Sequence, residues 1–249
     1  MRQFFRGMYY FVLGIRHLTA KGLKRFILLP ILFNCLLFVG IIYFTYDYLF
    51  SYSHYYISLL PAWLSFLNWL FLIFFVISFF LLFFVTFTVF FNLVASPFNG
   101  LLAEKAQRLF YQRDIPSVPF KQTILRSIKR QGQFLWYFFP RFIGMVFLFF
   151  IPIIHPIYPL LWFLFNSWIL SIQYQDFVMD NNLIGFKKMR NKIQDNAMLS
   201  LGFGSCISLA SFIPFVNLVI LTAAVIGSVF LYNEEYQTTL NHHPRLLKE

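Results

Sequence analysis

Charged side chains are scarce in this chain. Asp, Glu, Lys and Arg together make up 12% of its 249 residues, whereas about one quarter of a soluble globular domain is charged. Hydrophobic residues make up 59% of the chain, and 37 residues are Phe. This small amount of polar surface cannot cover a water-soluble globule of this size. The composition therefore predicts an integral membrane protein.

Acidic residues are scarcer than basic ones, at 9 against 20, which leaves a net charge of +11. Such an excess is sometimes the mark of a nucleic-acid-binding protein. Here the basic residues flank apolar segments and form no stripe on a polar module, a distribution that is typical of membrane orientation. We therefore expect a lipid bilayer as a partner, and no nucleic acid.

Residue patterns that carry enzyme chemistry are also missing. The two cysteines, Cys35 and Cys206, lie inside apolar segments without metal or redox spacing. The five histidines show no spacing typical of metal ligands, and no nucleophile motif or phosphate-binding loop occurs. We expect no catalytic residue, no metal and no cofactor. An interfacial lipid enzyme would have to depend on His54 or His155 alone.

Two long apolar runs are present, and they are continuous instead of alternating, which argues against a β-barrel. They predict transmembrane helices over residues 23–50 and 62–96, the second extending to about residue 113. The linking loop has no Lys or Arg and is rich in Tyr, as at the outer membrane interface. The fold class predicted is an all-α integral membrane protein, forming a single membrane domain over residues 1–249.

Three polar segments complete the predicted cytoplasmic side. Residues 1–20 have an apolar arc opposite a basic one, which indicates either an amphipathic helix in the membrane interface or a helix facing the protein core. The pattern of residues 97–135 predicts a helical hairpin whose two helices are separated by the turn "DIPSVP". Residues 234–249 predict a tail. Because the basic residues cluster in these segments, both termini should be cytoplasmic.

Two further apolar stretches are too short to cross a bilayer twice. Residues 142–175 and 196–233 contain no charge over 34 and 38 residues, and each stretch is flanked by basic segments. Two full spans need about 40 apolar residues plus a turn. Both stretches are broken by proline, so we predict partially penetrating helical hairpins over residues 136–176 and 196–233. Four short full spans with local bilayer thinning are the alternative.

The stretch "TAKGLKRFILLP", residues 19–30, suits the binding of an anion. Gly22 lets the backbone turn, and the next helix begins at about Leu23. The free N–H groups of its first turn and the charges of Lys24 and Arg25 would then surround one point. A small tetrahedral oxyanion fits that chemistry. The alternative is that these basic residues only orient the first transmembrane span in the membrane.

Several motifs resemble the CysZ-type sulfate permeases of bacterial inner membranes. They are "GLKRFILLPILFN" (22–34), "ASPFNGLLAEKA" (95–106), "LWFLFNSWILSIQYQDFVMDNN" (161–182) and "IPFVNLVILTAAVIGS" (213–228). The resemblance implies high-affinity sulfate uptake for cysteine biosynthesis, two long helices with two partly inserted hairpins, and a homo-oligomer built from dimers.

The same resemblance implies that Gly22, Leu23, Lys24 and Arg25 bind sulfate, because the family has a Gly-Leu-Arg motif at this point. Lys24 stands where the family often has Arg. A lysine holds an oxyanion as a point charge but cannot fork onto two oxygens, so we expect lower affinity.

Five weaker candidates lie near the predicted membrane boundary and could line the ion pathway or couple transport to protons. They are His155, Asn217, Glu104, Asp176 and Arg141. Asp176 and Asp180, which lies four residues later, could also brace the oligomer or pair with Arg25 or Arg141. The sequence thus predicts a sulfate transporter, either a channel or a proton-coupled carrier. The alternative is a non-transporting membrane scaffold whose basic residues only set orientation and oligomer contacts.

Overall fold

The computed structural model describes residues 1–23, 98–113, 115–116, 119–212 and 217–237, with isolated positions between 32 and 81. The two long spans predicted over 23–50 and 62–96 therefore lie almost wholly outside the described residues. Two compact units are present, Met1–Ile27 with Ser96–Glu249, and Leu28–Ala95. The helices below all belong to the first unit.

This unit is built of helices, and the described residues contain no β-strand, which confirms the all-α prediction. Among the described helices, only the segment Lys121–Phe149 has the length and apolar composition to cross a membrane. In chain order the helices are α1 (Arg2–Arg16), α2 (98–111), α3 (Phe120–Phe149), α4 (Tyr158–Asn181), α5 (Phe186–Asp195), α6 (Ala197–Ser211) and α7 (Asn217–Leu231). A 3-10 turn (Pro152–Ile154) precedes α4, and a π-helical turn (Tyr232–Tyr236) follows α7.

Helices α3 and α4 fold back on each other at a proline-rich turn. The Tyr158 hydroxyl donates to the Met145 carbonyl at 3.3 Å, and the Phe142 and Trp162 rings pack at 6.1 Å. Proline favours this break because it lacks an N–H and clashes with the preceding helical turn. Since α3 is one continuous helix, the predicted boundary at residues 135/136 falls inside it. How deeply this hairpin and the α6–α7 pair enter a membrane stays a prediction.

Helix α1 packs against both α6 and α7. Its buried side is formed by Gly7, Tyr10, Phe11 and Gly14. Other apolar residues of α1 stay exposed, among them Phe5, Val12 and Ile15. One side of the helix therefore faces the protein, as one alternative for residues 1–20 expects, and a second apolar side is exposed. Its place in a membrane interface stays a prediction.

Glycines let these helices touch backbone to backbone. A Cβ added at Gly7 would lie 2.0 Å from the Leu199 carbonyl oxygen of α6, and one added at Gly202 would lie 2.0 Å from the Phe4 oxygen of α1. A Cβ at Gly14 would lie 2.1 Å from the Ala223 oxygen of α7. Small residues at such crossings are typical of membrane helices, which depend on close van der Waals packing.

The substitution Gly7→Ala should force α1 away from α6, because the added methyl group overlaps backbone atoms that cannot move aside locally. Overpacking of this kind costs about 3 kcal/mol. We expect a clearly lower unfolding temperature for the detergent-purified protein. Gly144→Ala is the matched control, since a Cβ there meets no atom within 4 Å. Equal unfolding temperatures for the two variants would contradict this packing.

Candidate functional site

The turn predicted at Gly22 is present, and the structure describes it up to Leu23. Gly22 has a φ of +95°, a left-handed conformation that glycine adopts without steric cost. The Leu23 N–H donates to the Ala20 carbonyl at 3.1 Å, and the Leu23 side chain is fully buried. The turn is thus anchored in the core just before the predicted cations. Lys24 and Arg25 themselves lie outside the described residues.

Helix α2 brings a further cation to this turn. A Cβ at Gly22 would have Lys105 Cε as its nearest neighbour, at 3.9 Å. The adjacent acid, Glu104, is paired instead with Arg108 at 2.9 Å, one helical turn further along α2. Sequence reasoning missed Lys105, since periodicity shows which face of a helix a residue occupies but not which loop lies against that face.

Two ion pairs connect α3 to α4. The Arg130 Nε donates to Asp176 at 2.7 Å, and the Arg126 Nε donates to Asp180 at 3.0 Å. Arg130 also lies 3.9 Å from Asp180. Both side chains of the Arg130–Asp176 pair are about nine-tenths buried. Among the described residues these acids thus pair with Arg130 and Arg126 and not with Arg141, while the expected pairing with Arg25 falls outside the described residues.

Asp176 follows the charge-free stretch 142–175, at the polar end of α4. Burial raises the pKa of Asp176, Arg130 lowers it and nearby Asp180 raises it, and the net result is a pKa of about 7. Burial has this effect because a buried carboxylate loses the hydration that stabilises its charged form. The ion pair with Arg130 favours the charged form of Asp176 and so offsets part of the effect of burial.

Amide side chains extend this polar layer. The Asn182 Nδ2 donates to Gln107 Oε1 at 3.1 Å, and the Gln107 Nε2 donates to Asn233 Oδ1 at 3.4 Å. The Asn181 Nδ2 donates to the Gly100 carbonyl at 2.7 Å. These bonds join α2, α4 and the turn after α7, so Lys105 stands on a helix that is fixed on both sides.

Acidic residues of the π-helical turn also contact α1 and α2. The Tyr10 and Tyr111 hydroxyls donate to Glu235 at 2.7 Å and to Glu234 at 2.9 Å, and Arg6 forms an ion pair with Glu235. Burial and the Glu234 carboxylate raise the pKa of Tyr111. The hydroxyl of Tyr111 thus stays protonated and keeps donating at any physiological pH.

Two of the remaining candidates, His155 and Arg141, have local partners. The His155 ring binds the Phe149 carbonyl through Nε2 at 2.6 Å and so caps the end of α3, whose last carbonyls have no helical donor. The Arg141 Nη1 donates to the Tyr137 carbonyl at 2.7 Å. Asn217 is the first residue of α7, and its side chain lies outside the described residues. No group of three His, Cys, Asp or Glu among the described residues could hold a metal ion.

Comparison with known proteins identifies the family. A family model described as "Sulfate transporter CysZ/Etoposide-induced protein 2.4" matches residues 10–221. The chain belongs to this CysZ family. A relative from Pectobacterium atrosepticum named "Sulfate transporter CysZ" is 36% identical over 235 residues, 93% of this chain and 86% of the relative. A second relative of that name, from Vibrio cholerae serotype O1, is 35% identical over 242 residues, 96% of each chain. The CysZ resemblance seen in the sequence motifs is thereby confirmed.

We expect Asp176→Asn to destabilise this CysZ-family protein by about 3 kcal/mol, because it leaves the buried Arg130 without its nearest carboxylate. Thermal unfolding in detergent would show the loss. The control is Asp195→Asn, which makes the same change at an exposed position. If both variants unfold at the wild-type temperature, the buried ion pair does not hold α3 to α4.

Proposed function

We propose that the chain transports sulfate with high affinity across a bacterial inner membrane. The observation that carries the proposal is its identity of 35–36% to two proteins named as sulfate transporters, over nearly the whole of both chains. Those names describe transporters and not enzymes, in agreement with the lack of any catalytic motif. The apolar composition supports a membrane location.

The sulfate site that we propose is the turn at Gly22. Sulfate would lie against the turn at Gly22 and Leu23 and accept hydrogen bonds from its free backbone N–H groups, which do not include the Leu23 N–H because that group donates to Ala20. It would also lie beside the charges of Lys24 and Arg25. The left-handed turn at Gly22 supports this placement because it aims successive N–H groups differently from a continuous helix. We add Lys105 to the site, since its Cε lies beside Gly22.

The pathway that we propose runs through the two proline-broken hairpins. An anion inside a bilayer is costly, so a passage needs fixed positive charge or helix N-termini along it. The turn before α4 and the start of α7 at Asn217 lie where such N-termini are expected. His155 and Arg141, with their local partners, would shape this route more than they would carry protons.

The resemblance to the permeases supplies the biological setting of the proposal. Sulfate taken up in this way would feed cysteine biosynthesis. The working form would be a homo-oligomer built from dimers, with both termini in the cytoplasm. The excess of basic residues in the terminal segments supports this orientation.

Uptake of labelled sulfate into proteoliposomes tests the function and the site together. Wild type should accumulate sulfate above empty vesicles, and Lys24→Ala/Arg25→Ala should lose at least about tenfold of the initial rate, since charged hydrogen bonds to the anion are lost. The control Arg2→Ala/Arg16→Ala removes the same charge from exposed positions of α1 and should transport normally. If wild type does not exceed empty vesicles, the membrane-scaffold alternative replaces transport. If both double variants transport equally, the site is elsewhere.

The same vesicles separate a proton-coupled carrier from a channel. In a carrier, an imposed inward proton gradient should speed sulfate uptake. The variant Asp176→Asn should abolish this increase, because Asp176 is a buried acid whose pKa lies near 7. A rate that follows only the sulfate gradient and the membrane potential would assign a channel. Glu104→Gln is the control for an acid that is only partly buried.

A further inference from the structure

A large basic groove lies between α3 and α5, and Arg141 is the one residue that it shares with the sulfate site and pathway proposed above. Its volume is about 1200 Å³. Five of its thirteen lining residues are cationic, and none of the thirteen is acidic. The cations are Lys129 and Arg141 on α3, and Lys187, Lys188 and Arg190 on α5. None of these five takes part in an ion pair within the described part of the chain. Their mutual repulsion is a cost that an anion in the groove would remove.

The two arginines of the groove are held in place by one aromatic ring. The guanidinium carbon of Arg141 lies 3.6 Å from the centroid of the Tyr137 ring, and that of Arg190 lies 5.1 Å from it. The Tyr137 side chain is buried, and its hydroxyl accepts a hydrogen bond from Trp168 Nε1 at 3.1 Å. Because the ring is fixed, both guanidinium groups are oriented before any ligand arrives, which lowers the entropic cost of binding.

Backbone and side-chain donors in the groove lack acceptors. The Nε of Arg190 is buried and has no hydrogen-bond partner among the described residues, and such a donor costs free energy unless it is paired. Helix α5 begins after Gly185 with no side-chain cap, so the N–H groups of its first turn add positive potential beside Lys187 and Lys188. A tetrahedral oxyanion in the groove would accept hydrogen bonds from the N–H groups of this first turn.

The groove also lies where α3 changes from polar to apolar. Residues 120–133 carry four cations, whereas residues 134–149 carry only Arg141. Trp136, which lines the groove, is 84% exposed, and Phe139 and Ile143 are also exposed nearby on α3. An exposed tryptophan beside apolar residues is typical of the membrane interface, and basic pockets at this depth are suited to anionic lipid headgroups. A free ion would make no use of the apolar surface.

From these observations we propose that the groove binds the phosphodiester headgroup of an anionic glycerophospholipid. Arg141 and Arg190 grip the phosphate oxygens, Lys187 and Lys188 add charge at the start of α5, and the acyl chains lie along the exposed apolar side of α3. This site is separate from the sulfate site and does not depend on transport.

Native mass spectrometry of the detergent-purified full chain tests the proposal, with dioleoyl-phosphatidylglycerol and dioleoyl-phosphatidylcholine as probes. Wild type should prefer phosphatidylglycerol, and Arg141→Gln/Arg190→Gln should bind it at least about tenfold more weakly, as expected for the loss of charged hydrogen bonds. The control Arg16→Gln/Lys121→Gln lowers the net charge equally at exposed positions outside the groove and should bind like wild type. Equal affinity for the two lipids, or unchanged phosphatidylglycerol binding by the groove variant, would overturn the proposal.

Labelled sulfate, added in place of lipid, distinguishes the other source of an oxyanion. If the groove variant loses sulfate binding but keeps phosphatidylglycerol binding, the groove holds the free ion and the lipid assignment is wrong. Loss of phosphatidylglycerol binding supports the assignment whether or not sulfate binding also changes. Should the arginine variant fail to fold, Lys187→Gln/Lys188→Gln gives the same test at two exposed positions, with the same lipid preference as its readout.

Discussion

The buried pair between Arg130 and Asp176 is the contact on which the described part of the protein depends. A chain with so few charges places two of them in its interior, where each would be costly alone. Their pairing fixes α3 against α4 at the polar end of the helices, and Arg126 with Asp180 repeats the contact. The position of α3 in turn decides where Lys129 and Arg141 face α5. The basic groove and the polar layer are thus consequences of the same ion pairs.

Close glycine contacts hold the other side of the unit together. The hydrophobic effect drives the packing of helices in soluble proteins. In a membrane, helix association is stabilised mainly by close van der Waals contact and interhelical hydrogen bonds. The crossings of α1 with α6 and α7 at Gly7, Gly14 and Gly202 provide such contact. They place the end of α1 so that the chain reaches the turn at Gly22 from a fixed direction. A loop that binds an anion needs this support, because the site loses most of its affinity for the anion when its hydrogen-bond donors are misplaced.

Local features could be predicted from the sequence, and long-range contacts could not. The turn at Gly22 and the break before α4 follow from what glycine and proline backbones favour, and both appear in the structure. Arg130 was not among the expected partners of Asp176, because helical periodicity does not show which basic residue of another helix lies opposite. Lys105 was missed for the same reason. The seven-residue spacing of Gly7 and Gly14 places both glycines on one face of α1 and could have indicated its packed side. The apolar arc beside that face is the more prominent pattern in the sequence.

The oxyanion site proposed at the turn of Gly22 takes its charges from two separate parts of the chain. Isothermal titration of sulfate into the detergent-purified protein tests it most directly, with Lys105→Gln compared against Lys121→Gln. Both variants lose one positive charge, but only Lys105 lies beside Gly22. We expect wild type and Lys121→Gln to bind sulfate with equal affinity. Lys105→Gln should bind it about tenfold more weakly, as expected for the loss of one charged hydrogen bond. Wild-type affinity in Lys105→Gln, or no sulfate binding by wild type, would contradict this proposal.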